Sequence, residues 1–165
     1  MKIGRLTLSD RASQGVYEDK SGPAIDAYLG ECFDEDLEFV LKILPDDQSL
    51  IEESLIQLSD HELCSLIITT GGTGPSARDV TPEATIAVLE KELPGFGEVM
   101  RTESFKIVKT AILSRATAGI RGKSLIINLP GNPKAVRQIL PLLLAAIAEC
   151  LEHLTGSRPK LSKSF

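Results

Sequence analysis

Cysteine and histidine are scarce in this chain. Its three cysteines, Cys32, Cys64 and Cys150, are far apart, odd in number and contain no CxxC pair. That spacing argues against a disulfide framework and against a zinc site, and leaves buried thiols as the reading. The two histidines, His61 and His153, each fall near the end of a helical pattern, where imidazoles serve as surface or structural groups. An excess of basic residues is also missing. Lys and Arg number 18 against 23 Asp and Glu, for a net charge of −5, so no general nucleic-acid footprint is expected. Acidity does not exclude an anionic ligand, because a small site works through local charge and backbone N–H groups. No leader is visible: MKIGRLTLSDRAS carries an Arg inside its only apolar stretch, and that stretch is short. The most apolar segment, Ile139–Leu151, contains Pro141 and is too short to span a bilayer. A cytoplasmic protein is expected.

What is present suits one compact unit. A chain of 165 residues, 42% hydrophobic and 25% charged, can bury a core without staples, so residues 1–165 are expected to form a single domain. Residues 2–8 alternate and predict a first strand. Residues 10–23 are polar and predict a loop, with Pro23 at or near the first turn of a helix over 23–32. LEFVLKIL at 37–44 reads as a second strand. Ser49 and Glu52 have capping-box spacing and predict a helix over 49–61. If Ser49 is the cap, Asp46 and Asp47 are not needed for that task. SLIIT at 65–69 and SLIIN at 124–128 are continuous apolar runs, as in strands buried on both faces. Thr81-Pro82 predicts a cap and a first-turn proline, with a helix to about Lys91. PGFG at 94–97 reads as a break before a helix over 97–107. Ala111–Leu113 and Ala118–Ile120 read as short edge strands. Asn132-Pro133 predicts a second cap and proline, opening a helix over 133–154 that stops near Gly156. Its apolar residues cover more than one face, so it is either deeply buried or packed on a second subunit. The alternation predicts an α/β fold: three layers, a mostly parallel sheet with helices on both faces.

The chemistry gathers in four loops, each following a predicted strand: Ser9-Asp10-Arg11, Pro45-Asp46-Asp47, Gly71-Gly72-Thr73-Gly74-Pro75 and Leu129-Pro130-Gly131-Asn132. In a parallel sheet such loops share one edge, where ligands bind. GGTG suits close approach of backbone to phosphate. It is neither a P-loop nor a dinucleotide fingerprint, and alone it is ordinary turn chemistry. Asp79 lies two residues before Thr81. The plain reading is a carboxylate favoured by a helix N-terminus; the functional one is a Mg²⁺ ligand, since Mg²⁺ commonly takes one or two carboxylates plus substrate phosphates. Asp46 has the same two readings. Two such carboxylates beside a glycine-rich loop point to metal-assisted phosphoryl or nucleotidyl transfer. Arg11, Lys20, Arg78 and Lys134 lie in or beside the loops. They are solvated surface charges or phosphate holders.

TTGGTGPSARDVTPEAT at 69–85 resembles the signature of the molybdenum-cofactor biosynthesis domain, in the form found in MogA-type molybdopterin adenylyltransferases. SDRASQGVYEDKSGPA, LPDDQ, PGFGEVMR, TAILSR and NLPGNPK resemble that family in the same order, over residues 3–140. The resemblance implies the MogA/MoaB-like fold, assembly as a homotrimer, and binding of molybdopterin and Mg-ATP. It implies adenylyl transfer to the terminal phosphate of molybdopterin, with release of pyrophosphate and hand-over to a molybdenum-inserting enzyme. It places the family's two important aspartates on Asp46 and Asp79, as catalytic residues and Mg²⁺ ligands. Substrate and nucleotide binding falls on Ser9, Asp10 and Arg11, on Gly71, Gly72, Thr73, Gly74, Pro75 and Ser76, and on Pro130 and Gly131. A pterin carrier or scaffold without catalysis is the alternative, and retention of both aspartates favours the enzyme. Relatives that insert molybdenum carry this domain in much longer chains. A generic nucleotide-binding protein is what remains without the resemblance.

Overall fold

The structure, a computed structural model, describes residues 1–162. One six-stranded sheet organises them. Its strands are β1 (Lys2–Leu8), β2 (Glu38–Leu44), β3 (Leu66–Thr70), β4 (Lys91–Glu92), β5 (Ala118–Arg121) and β6 (Ser124–Leu129). Their order in space is β2-β1-β3-β6-β5-β4. The first four in that order run parallel, and β5 and β4 are antiparallel additions.

Two faces of packing explain the unbroken apolar runs. Leu66, Ile68, Leu125 and Ile127 point into one core, with Ile25 and Leu29 of α2 (Ser21–Cys32) and Leu140, Leu144 and Ile147 of α6 (Pro133–Thr155). Ile67 and Ile126, between them in sequence, point into the other, with Ile51 and Leu55 of α3 (Gln48–Ile56) and Ala84 and Val88 of α4 (Thr81–Val88). Strand side chains alternate between faces, so a strand covered on both sides must be apolar at every position. Gly4 belongs to the second face. A Cβ there would stand 2.9 Å from Leu58, so the glycine lets that leucine lie against β1.

Several local expectations change. Asp47, not Ser49, caps α3: its carboxylate accepts from Leu50 N–H at 3.0 Å. The helix loosens after Ile56 into one π turn, Gln57–His61. Thr81 is already helical, with Val80 before it, and its hydroxyl donates to Gly71 O at 3.0 Å instead of capping. PGFG does not break the chain. Pro94 opens α5 (Pro94–Ile107), where its missing N–H costs nothing. Ala111–Leu113 lies in a 3₁₀ turn, Lys109–Leu113. The loop expected over 10–23 contains a short helix, α1 (Asp10–Ser13), capped by Ser9. β5 is an interior strand, because β4 lies outside it. Asn132 caps α6 as expected, accepting from Lys134 N–H at 2.9 Å, and the helix ends at Gly156 with φ 79°. Among the described residues no helix is long and apolar enough to cross a membrane.

Candidate active site at the strand ends

The connection after β1 leads to β2 on one side, and the chain then returns to place β3 on the other. Between β1 and β3 the outgoing loops diverge, which opens a crevice at their carboxyl ends. A cleft of about 250 Å³ lies there. Its walls include Thr7, Leu8 and Ser9 from β1 and its exit, Asp46 after β2, Thr70, Gly71 and Gly72 at β3, and Asp79 and Gly131. The four loops do converge.

Backbone hydrogen bonds set their spacing. Ser9 N–H donates to Leu44 O at 2.9 Å, joining the exits of β1 and β2. Gly71 N–H donates to Leu129 O at 3.2 Å, and the Thr70 hydroxyl to Pro130 O at 2.9 Å, joining those of β3 and β6. The glycines are forced by space. Gly71 has φ 99°, and a Cβ would stand 2.3 Å from Leu8 O. Gly72 has φ 61°, and a Cβ would stand 2.2 Å from Thr81 Oγ1 and 3.0 Å from Asp46 Oδ1. Side chains are excluded on both counts.

The two expected aspartates have different surroundings. Asp46 is half-buried. Its Oδ2 accepts from Asp10 N–H at 3.0 Å, while its Oδ1 is buried and accepts from no protein donor. Burial pushes its carboxyl above the usual carboxylate range, and the charges of Asp10 and Asp79 push the same way. Asp79 Oδ2 accepts from Ser76 N–H at 3.0 Å, closing a turn over Ala77 and Arg78. Asp10 turns to Arg78, whose Nε and NH2 reach its two oxygens at 3.0 and 2.7 Å. That fork holds the Asp10 carboxyl below its ordinary range, helped by Asp46 N–H.

Other expected residues spread around this centre. Ser9, Gly71, Gly72 and Gly131 line the cleft. Pro130 lines a neighbouring cavity with Met100, Ser114 and Asn132. Thr73, Gly74, Pro75 and Ser76 form the loop beyond, outside the cleft lining. Arg11 places its guanidinium 5.4 Å from the centre of the Tyr17 ring, and Tyr17 lines the cleft.

Sequence reasoning missed Asp19 and Arg115. Asp19 lines the cleft and receives the Arg5 guanidinium at 3.0 Å and the Thr7 hydroxyl at 2.5 Å. Its other oxygen accepts from Gly22 N–H at 2.9 Å, near the start of α2. The signal was Arg5 itself: an arginine inside an apolar strand, here 5% exposed, demands carboxylates. Arg115 grips the glycine-rich loop from outside, donating from Nε to Gly74 O at 2.9 Å and from NH2 to Asp79 O at 2.5 Å.

A hard divalent cation fits these residues. Asp46 Oδ1 is a buried, unpartnered carboxylate oxygen, the donor that Mg²⁺ takes. Among the described residues no group of three His, Cys, Asp or Glu side chains could hold a metal unaided. An ion bound by Asp46 and Asp79 therefore needs oxygens from a substrate or water, which is the usual habit of Mg²⁺.

Residues 4–149 match the family profile described as "Probable molybdopterin binding domain". The chain is 56% identical over 155 residues to the molybdopterin adenylyltransferase of Helicobacter pylori strain 26695, covering 94% of this chain and 88% of that one. It is 49% identical over 140 residues to the molybdopterin adenylyltransferase of Escherichia coli K12, covering 85% and 72%. The crystal structure of the molybdopterin biosynthesis enzyme MoaB from Thermus thermophilus superposes with a TM-score of 0.87 at 38% identity, covering 96% of this chain and 99% of that one.

Proposed function

This chain belongs to the molybdopterin-binding domain family, and from that membership we propose that it transfers an adenylyl group from ATP to the terminal phosphate of molybdopterin. An oxygen of the pterin phosphate forms a bond to the α-phosphorus of ATP. The bond from that phosphorus to the β-phosphate bridge breaks, and pyrophosphate leaves with the electron pair. The observation that carries this reading at the level of residues is Asp46, whose buried Oδ1 has no protein partner and faces the glycine loop.

The chain's own part is positioning and charge. Two polyanions must meet, and the backbone N–H groups of Gly72, Thr73 and Gly74, which donate to no acceptor among the described residues, can hold phosphate oxygens without side-chain bulk. The attacking phosphate is already ionised at neutral pH, so no strong base is needed, and the cleft lining contains no histidine. Asp46 and Asp79 would hold Mg²⁺, which supplies neutralisation of phosphate charge when bound. Ser9 lines the cleft, and Asp10 and Arg11, which follow it in the same loop, would take part in substrate binding, with Arg78 parked on Asp10. Pro130 and Gly131 bring the exit of β6 against the same loop, Gly131 lying close enough that a Cβ would stand 3.2 Å from Gly71 Cα.

Residues 1–165 act as one molybdopterin-binding domain in this reading, supported by the single sheet. An association face is supported by the exposed Val99 and Leu142, which line one apolar hollow between α5 and α6, and a homotrimer is the assembly proposed for it. Cytoplasmic action and hand-over of the adenylylated pterin to a molybdenum-inserting enzyme are part of the same proposal.

The test is anaerobic incubation with molybdopterin and ATP, with and without Mg²⁺, scoring adenylylated pterin and pyrophosphate. Both products in the metal-containing reaction alone are expected. Tight pterin binding without product would instead make the protein a carrier.

A further inference from the structure

Arg115 belongs to neither a helix nor a strand. It lies between the 3₁₀ turn and β5, yet it directs four donors at one short stretch of chain. Its backbone N–H donates to Thr73 O at 2.8 Å. Its Nε donates to Gly74 O at 2.9 Å and its NH2 to Asp79 O at 2.5 Å. Its NH1 pairs with Glu83 in the first turn of α4. We infer that Arg115 is a positioning residue for adenylyl transfer: it fixes the Thr73–Asp79 loop in the geometry the cleft requires. The inference rests on the adenylyltransferase reading given above.

The loop has little else to hold it. Pro75, Ser76, Ala77 and Arg78 are exposed, and Gly74 has no side chain to pack. Its internal bonds, Asp79 N–H to Ser76 O and Ser76 N–H to Asp79 Oδ2, close the turn on itself without tying it to the sheet. Outside Arg115, the ties are the exposed Arg78–Asp10 pair and the bonds of Thr81 to Gly71 and Gly72.

Pinning carbonyls also orients donors. In a trans peptide the C=O and the following N–H point in opposite directions. Holding Thr73 O therefore sets the direction of Gly74 N–H, and holding Asp79 O sets that of Val80 N–H. The Asp79 carboxylate is placed by the same grip, because a Cβ on Gly74 would stand 3.0 Å from Asp79 Oδ2. Lysine cannot do this. Three acceptors in three directions match the flat, forked guanidinium, whereas an ammonium is a point.

Arg115→Ala, Arg115→Lys and the parent are compared in two measurements. In steady-state adenylyl transfer, Arg115→Ala is expected to lose about 100-fold in kcat, the scale of a 1 Å misplacement. Its KM for ATP should stay within about threefold, and added methylguanidinium should restore part of the rate. Arg115→Lys should remain slow. A kcat within about twofold of the parent, or a loss that merely follows a lowered Tm and is not rescued, overturns the inference.

The second measurement needs no turnover. Amide hydrogen exchange over residues 72–80 is expected to rise at least about tenfold in either variant while β3 and β6 keep their protection. Unchanged exchange there overturns the inference even if the parent does not adenylylate, a result that by itself counts only against the reaction. If Arg115→Ala does not fold, Arg115→Lys carries the exchange comparison.

Discussion

Asp10 and Asp46 hold each other reciprocally: each backbone N–H donates to the other's carboxylate, at 3.0 Å both ways. The two residues are 36 positions apart and belong to loops after neighbouring strands. One oxygen of Asp46 is thereby used and the other left free of protein donors. The pair builds a fixed seat for a carboxylate that the fold does not itself satisfy.

Asp46→Asn keeps that shape and removes the charge. We expect at least about 100-fold loss of adenylyl transfer, the scale for a lost transition-state stabiliser, with stability unchanged or higher by up to about 1 kcal/mol, since this part-solvated group relieves only part of a burial cost. The pH dependence has a defined sign. Burial raises the folded-state pKa of Asp46, so the folded chain keeps its proton where the unfolded chain, with an Asp pKa of about 3.9, has released it. Its contribution is present below that unfolded value and is lost as pH rises through the folded one. Denaturant titrations across the acid range should show this slope in the parent and not in Asp46→Asn. Equal slopes would show that the site does not raise the pKa.

Asp79→Ala is expected to lower turnover by about 100-fold to 1,000-fold. It also leaves Ser76 N–H without its partner, for about 0.5–1.5 kcal/mol of stability. Product assays and a thermal melt read both. Turnover at the parent level would remove Asp79 from the metal-binding role.

Gly72→Ala combines a disfavoured φ with a collision at Thr81 Oγ1. A loss of about 1–3 kcal/mol is expected, together with reduced adenylyl transfer because Thr81 and Asp46 must both move. Urea unfolding followed at two wavelengths measures the first, and a melt indistinguishable from the parent would contradict the loop geometry.

Arg78→Ala should move Tm by no more than about two degrees, because its partner pair is at the surface. The Asp10 carboxyl, held low chiefly by Arg78, should titrate closer to its ordinary value in a carbon-detected NMR experiment. Asp10's share of stability exists above its unfolded pKa and disappears as pH falls through the folded one. No movement of that resonance would mean that the fork is not formed in solution.

Leu63→Gly should stabilise the protein. Leu63 has φ 56° and is 73% exposed, and it ends the π turn where Glu62 N–H and Cys64 N–H return to Gln57 O and Leu58 O. Glycine takes that conformation without strain, so about 0.5–1 kcal/mol is expected from calorimetry. A lower melting point would show that the leucine side chain contributes more than its backbone costs.

Much of the site was readable because its parts announce themselves. Continuous apolar runs located β3 and β6, and the polar breaks after them located the loops. Cap assignment was less readable. Asp47 and Ser49 are both competent caps two residues apart, and only the accepted bond from Leu50 decides between them. Ala111–Leu113 has the composition of a short strand but lies in a 3₁₀ turn; Ile112 and Leu113 are exposed, so their spacing reports no core. Asp19 was signalled by the arginine buried in β1, but Arg115 was hidden for a different reason. Arg115's acceptors on the glycine loop are main-chain carbonyls 36 to 42 residues away, and no pattern of side chains encodes a carbonyl's direction.

The strand order has a consequence for the newborn protein. β6 is the last of the six described strands to be made, yet it sits inside the sheet, between β3 and β5. Until it docks, the apolar edge of β3 has no neighbour, Gly71 N–H has no Leu129 O, and Gly131 has not reached the cleft. A chain still emerging with fewer than about 130 residues free can form the β2-β1-β3 portion but holds no complete site. Assembly of the site thus waits for β6, and long-range pairing of this kind is intrinsically slow. During that interval β3 is the exposed edge most in need of protection from other chains.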